Sequence, residues 1–196
     1  GWRVTNVVFK LNIRNIVSRL KRSRIRQFLD FTEYTNFCVI RGLCHLTLIA
    51  FTRSGHVNIT GVRRFEQLND ILTLLSDVLG LSRINLRPTN ARVVSSTATG
   101  TVNREVNLAR LIYRYQVDAD KDKPPLLLYL QYGHFPSLLI RRSNIKGCAQ
   151  LFCSGKFNIV GCDNRDTIEE LWRAVTALTK TYSSARSSCA ATAGSF

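Results

Sequence analysis

Apolar residues recur along this chain with two different periods. Two short apolar runs, LTLIAF (46–51) and CAQLF (148–152), each lead into a stretch that alternates. Alternation is the signature of a strand with one covered face. In the first stretch one set is Phe51, Arg53, Gly55, Val57, Ile59 and Gly61, and the other is Thr52, Ser54, His56, Asn58 and Thr60. In the second the sets are Cys153, Gly155, Phe157, Ile159, Gly161 and Phe152, Ser154, Lys156, Asn158, Val160. The first set of each belongs against a core. The second carries hydrogen-bonding and basic groups and belongs on an open face. The period then lengthens. Phe65, Leu68, Leu72, Leu75 and Leu79 fall three and four apart, as do Ile168, Leu171, Trp172, Val175 and Leu178. Both patterns predict amphipathic helices, the first stopped by Gly80, the second capped by Asp166 with Glu169 three residues on.

The two series are copies. Ser54-Gly-His-Val-Asn-Ile-Thr-Gly-Val62 returns as Ser154-Gly-Lys-Phe-Asn-Ile-Val-Gly-Cys162. Earlier in each half a strand-like stretch carries an Asn, VTNVVFKLNI (4–13) and PTNARVVSS (88–96). Each leads into a helical pattern, around Ile16–Phe28 and Val106–Tyr115. The reading is one repeat over 1–84 and a second over 85–182, with a tail of small polar residues, 183–196, expected to be flexible. Aligning the Asn residues and then the turn glycines leaves about 16 extra residues in the second half. They are assigned to a loop near 117–133, where Pro124-Pro125 lies. The fold class that follows is α+β, an antiparallel sheet of two pseudo-symmetric repeats with helices on one face.

Charge narrows the partner. The chain has 28 Lys and Arg against 13 Asp and Glu, a net of +15 over 196 residues. Residues 1–64 hold twelve bases against Asp30 and Glu33, whereas the two late helices hold most of their charge as acid. Helices on one side of a sheet would leave the positive charge on the other side or its rim. Such a surface suits a polyanion, nucleic acid first and an anionic membrane surface second. The cluster Arg19, Lys21, Arg22, Arg24 and Arg26 is dense enough for phosphate or headgroup contact. No apolar run approaches the length of a membrane-spanning helix, and the opening GWRVTNVVFK lacks the apolar stretch of a signal peptide. The chain contains no Met, so Gly1 reads as the start of a processed product or an excised segment.

Catalytic and metal signals are weak. Cys38, Cys44, Cys148, Cys153, Cys162 and Cys189 form no CxxC pair, and small buried apolar residues in a reducing compartment are the expectation. His45, His56 and His134 are scattered, and no nucleophile motif or glycine-rich phosphate loop is present. Asp118, Asp120 and Asp122 alternate but lack the Gly and distal Glu of a calcium loop. The expectation is a non-enzyme with no cofactor, no metal and no small-molecule substrate.

Four segments together carry a resemblance to the TATA-binding protein family, across about residues 3–182. They are Asn6-Val-Val, Phe51-Thr-Arg-Ser-Gly-His-Val-Asn-Ile-Thr-Gly61, Phe135-Pro-Ser-Leu-Leu-Ile-Arg141 and Phe152-Cys-Ser-Gly-Lys-Phe-Asn-Ile-Val-Gly161. The resemblance implies a two-repeat saddle, a curved antiparallel sheet with helices on its convex face, whose concave side enters the DNA minor groove, where Phe wedges unstack base steps. Minor-groove A·T pairs present acceptors, which Asn and Thr can meet as donors. By this likeness Asn6 and Asn90 are the central pair, Phe135 and Phe152 the second repeat's wedges, and Phe37 the first repeat's outer wedge. Thr60 faces the groove, and Lys156, Arg141 and Arg41 hold the backbone, while Asn58 and Asn158 add polarity at the centre.

The chain departs from the family at several positions. Counting back from Gly61 puts Thr52 where a second Phe should stand and Phe51 on the core side. Arg92 and Val160 replace a small apolar residue and a Thr, His56 replaces a Lys, and the acidic residues before Phe-Pro are missing. The function implied is a transcription initiation factor bound to duplex DNA, in the nucleus or at a viral replication site or particle. The alternative is a virion or chromatin assembly protein that reuses the saddle for protein or non-specific nucleic-acid contacts.

Overall fold

The computed structural model describes residues 1–81, 91–118, 126–132, 134 and 136–182. Its sheet has ten strands, all paired antiparallel. The first half supplies β1 (Trp2–Asn12), β2 (Asp30–Glu33), β3 (Phe37–Leu43), β4 (Leu46–Phe51) and β5 (His56–Val62). The second supplies β6 (Arg92–Thr101), β7 (Leu126–Gln131), β8 (Ser137–Arg142), β9 (Cys148–Phe152) and β10 (Lys156–Cys162). The strand order is β2-β3-β4-β5-β1-β6-β10-β9-β8-β7, so the halves join along β1 and β6. The helices are α1 (Ile16–Lys21), α2 (Leu68–Leu79), α3 (Leu108–Val117) and α4 (Arg165–Tyr182). This is the expected α+β saddle, a curved antiparallel sheet with its helices on one face.

Strand registers locate the twofold relation. Val7 opposes Val62 as Ser96 opposes Cys162, and Phe9 opposes Ile59 as Ala98 opposes Ile159. Across the central ladder Val7 faces Ser96. Asn6 faces Thr97 as Ser95 faces Val8, and Val4 faces Ala98 as Val93 faces Phe9. The Val7–Ser96 pair therefore lies on the pseudo-dyad, with a register shift on either side of it. This corrects the sequence alignment of Asn6 with Asn90. The counterpart of Asn6 is Ser95, and Asn90, outside the described residues, precedes the strand.

Each half has its own core. Phe9, Leu11, Leu48, Ile59 and Leu75 anchor one cluster, and Leu111, Ile140, Leu151, Phe157 and Leu171 anchor the other. Val4 and Phe65 pack against both. A fully buried Leu or Phe of this kind contributes roughly 1.5–3 kcal/mol by leaving water. Gly80 ends α2 in the left-handed conformation at φ 60°, as the sequence indicated. The start of α4 differs from expectation. Asn164, not Asp166, accepts the Thr167 N–H on its Oδ1 at 2.8 Å, because it stands three residues ahead of that amide.

The proposed loop at 117–133 is partly strand. Leu126, Leu128 and Leu130 alternate onto the core, so Leu126–Gln131 pairs with β8 as the second half's edge; positions 119–125 and 133 lie outside the described residues. Cys38, Cys148 and Cys162 are buried, but Cys44 and Cys153 are exposed because both sit in hairpin turns; all five are free. Cys189 and the rest of 183–196 lie outside the described residues.

Candidate functional site

Parity along each strand divides the sheet into a helix-covered side and an open side. In β5, Val57, Ile59 and Val62 are buried under helices, which turns His56, Asn58 and Thr60 to the open side. In β10, Phe157, Ile159 and Cys162 are buried, leaving Lys156, Asn158 and Val160 open. Buried Phe9 and Leu11 in β1 likewise place Asn6, Lys10 and Asn12 on the open side, with Arg3 towards its start. Opposite them β6 presents Arg92, Thr97, Thr99 and Thr101.

The open side is cationic. Arg3, Lys10, Arg41, Arg92, Arg141 and Lys156 all project onto it. Asp30 is the one acid that a described strand adds, and it lies 3.8 Å from Arg41. Arg41 and Arg141 are counterparts, since their strands align through Ile40–Leu48 and Ile140–Ala149. Acids collect on the helix side, where Glu170 pairs with Arg142 and Glu169 with Arg173. A one-signed face of this kind raises the local concentration of anions.

Asn6 is committed within the protein: the Gly61 N–H donates to its Oδ1 at 3.1 Å, filling the register break between β1 and β5. That bond occupies the acceptor oxygen and does not use the Nδ2 donors. Asn58 Oδ1 and His56 Nδ1 are shut off from solvent yet have no hydrogen-bond partner among the described residues. Such atoms are costly unless something else satisfies them.

The aromatic residues fall differently from the sequence expectation. Phe51 is on the open side and 37% exposed, and it does not belong to either core. It opposes Phe37, as Phe152 opposes Ser137. Phe51 is thus the counterpart of Phe152, and Thr52 lies in the turn. The count back from Gly61 fails because the first hairpin turn is longer by one residue. The Gly55 N–H closes onto the Phe51 carbonyl, whereas the Gly155 N–H closes onto the Phe152 carbonyl.

The two ends of the open side differ in chemistry. Tyr34 stacks on Phe37 at 4.6 Å, and Phe37 meets Phe51 at 6.2 Å. At the opposite end the Ser137 hydroxyl donates to Gln131 Oε1 at 3.1 Å, and Gln150 Nε2 donates to Ser137 Oγ at 2.9 Å, beside Phe152. Among the described residues, one end is an aromatic cluster, and the other sets a hydroxyl-amide cluster beside Phe152, with Tyr129 of the edge strand exposed on the same face. Phe135 lies outside the described residues.

Of the residues singled out from sequence, Asn6, Asn58, Asn158, Thr60, Phe37, Phe152, Lys156, Arg141 and Arg41 share the open side. Val160, 36% exposed, is there too. Sequence reasoning missed Phe51, Tyr34, Lys10 and Arg3 as members of this face. Alternation against Phe9 and Leu11 could have found Lys10.

Among the described residues no helix is long and apolar enough to cross a membrane, and no group of three or more His, Cys, Asp or Glu side chains could hold a metal ion.

Among solved structures the chain is similar to Methanococcus jannaschii TBP, with a TM-score of 0.62 and 21% sequence identity over 92% of this chain and 99% of that one. This likeness is one of fold. A rolling circle replication initiator protein from Geobacillus stearothermophilus aligns with a TM-score of 0.43 and 7% identity, over 90% of this chain and 80% of that one. That degree of overlap carries no argument. No family model matches the chain, and no curated protein matches it.

Proposed function

We propose that this chain is a DNA-binding protein that grips duplex DNA through the open side of its saddle, in the manner of a transcription initiation factor. The observation that carries the reading is the sorting of charge: six basic side chains against one acid on the face without helices. Arg3, Lys10, Arg41, Arg92, Arg141 and Lys156 hold phosphates. Thr60, Thr97, Asn158 and the Nδ2 donors of Asn6 meet the acceptors of the minor groove. Phe51 and Phe152 press against base steps from opposite ends and favour a bend toward the major groove. The protein works by binding and bending, without catalysis, at the genome in the nucleus or in a viral particle.

The likeness of fold to TBP supports the docking geometry. The test is an energy-transfer bending assay on A·T-rich duplex across a salt series. Binding that weakens steeply with salt, together with a bend that Phe152→Ala reduces, is the expected result. Salt-insensitive binding or a straight duplex overturns the proposal.

A second reading is favoured by Ser95, with one hydroxyl donor in place of an amide's two, as the counterpart of Asn6. Fewer free base-edge donors at the centre suit a packaging saddle that holds nucleic acid without preference. Selection on random duplex separates the two: an enriched A·T-rich motif supports the factor, and no enrichment supports packaging.

A further inference from the structure

We infer that the helix side carries a second anion site, a cleft between the start of α2 and the face of α4 that takes a nucleotide unit: a phosphate joined to a stackable base. The chain has two tryptophans, and both line this cleft, Trp2 from β1 and Trp172 from α4. Phe65 and Val4, which pack against both cores, line it too. Around this aromatic floor stand Arg63, Arg64 and Arg165. The cleft encloses about 790 Å³, room for one nucleotide and part of a neighbour.

Two features argue that these residues serve a ligand and not the fold. First, the turn that carries Arg63-Arg64 exists twice. Val62 and Cys162 hold matching places in the ladders, so Arg63 and Arg64 correspond to Asp163 and Asn164. The corresponding connection in the second half is made with an acid and an amide, and in the first half the backbone amides of Arg63 and Arg64 donate to Gln67 Oε1, so the connection does not call for two guanidinium groups. Second, the cations outnumber their partners. Arg165 lies 3.6 Å from Glu66 and 5.8 Å from the Trp2 ring, while Glu169 is taken by Arg173. Arg63 and Arg64 form no ion pair with a described acid. Planar guanidinium groups beside half-buried indoles match phosphate and base together, through hydrogen bonds to the first and stacking on the second.

The site lies on the helix side; Arg3, at the start of β1, lines it as well, and none of the other basic residues assigned to the duplex-binding face does. A free nucleotide and a residue of a single strand share the required chemistry, and the experiment separates them. Intrinsic tryptophan fluorescence of the whole chain reports the cleft directly, because both indoles are in it. It is titrated with an eight-residue oligothymidylate, with thymidine monophosphate and with inorganic phosphate. Saturable quenching by the oligomer alone identifies a strand, and quenching by both thymidine ligands identifies a nucleotide. The double variant Arg63→Ala/Arg64→Ala, its fold checked by circular dichroism, weakens the quenching ligand about tenfold or more and lowers the salt slope by about 2. Lys156→Ala/Arg141→Ala leaves that affinity within about twofold, since those side chains are on the other face. The inference is overturned by an absence of saturable quenching or by inorganic phosphate binding as tightly as the nucleotide. It is equally overturned if the Arg63/Arg64 variant has unchanged affinity. Loss of duplex bending with the quench intact would overturn the duplex proposal alone.

Discussion

Lys10 on β1 lies directly across the ladder from Arg92 on β6, two like charges on the open side close to the pseudo-dyad. Facing like charges on a sheet oppose folding by roughly 0.2–1 kcal/mol, and salt screens them. Arg92→Gln is therefore expected to stabilise the protein by up to about 1 kcal/mol at low salt, with the gain vanishing in high salt. The same substitution weakens duplex binding and lowers its salt slope by about 1. Urea titrations at two salt concentrations, read beside binding isotherms, check both.

Phe51 and Phe152 hold matching positions in the two halves, so the proposed duplex binding assigns one to each end of the bend. Phe51→Ala costs about 1 kcal/mol of stability, chiefly its ring contact with Phe37, and reduces the bend measured by energy transfer. Leu151→Ala, one residue from Phe152 but fully buried, costs about 2–5 kcal/mol. Equal stability losses for the two would contradict the assignment of Phe51 to the open side.

Asn6→Ala leaves the Gly61 N–H without its acceptor and destabilises the protein by about 1–2 kcal/mol. Asn6→Asp keeps an acceptor oxygen and recovers most of that loss. Chemical denaturation of the two variants distinguishes an acceptor role from simple side-chain packing.

Gly155 sits at φ 76°, where an added Cβ would run into the Arg104 carbonyl. Gly80 has φ 60° but open space around it. Gly155→Ala is expected to cost more than about 2 kcal/mol, and Gly80→Ala only the left-handed penalty of about 1–2 kcal/mol. Thermal melts of the pair separate collision from conformational preference.

Burial pushes the Cys162 thiol up to about 12, with Asp163 and then Cys148 adding to the rise. The folded state thus keeps a proton that the unfolded chain releases near pH 9. The stabilisation is complete below that pH and is lost as pH climbs from there toward about 12. Denaturation from pH 8 upward should show the parent protein losing stability relative to Cys162→Ala, by a few kcal/mol at most.

The repeat, the late helices and the facing of both hairpin strands were legible because buried Val57, Ile59, Phe157 and Ile159 alternate without interruption. The first aromatic end was not. One additional residue between Phe51 and Gly55 shifts any count made from the glycine, and only the hydrogen bond that closes the turn reveals it. Asn6 misled for a different reason. Asn-containing strand openings look alike in sequence, whereas pairing partners define the true counterpart, Ser95. The edge strand β7 was hidden by its approach, since Pro124-Pro125 signals a turn and outweighs three alternating leucines. The basic face was legible in outline from charge totals, but membership of Lys10 and Arg3 depended on strand parity.

The unequal hairpin turns also say where such a duplicated module can change length. A residue gained between Phe51 and His56 is absorbed where the chain reverses, and every neighbouring pair of β4 and β5 stays as it was. The same gain inside β4 would either bulge the strand, as at the register breaks on both sides of the Val7–Ser96 pair, or swing Thr47 and Ile49 inward and Leu48 outward. Drift between the two copies is therefore cheap at the reversals and costly along the runs, and the older kinship of the halves is best sought in their cross-strand partners.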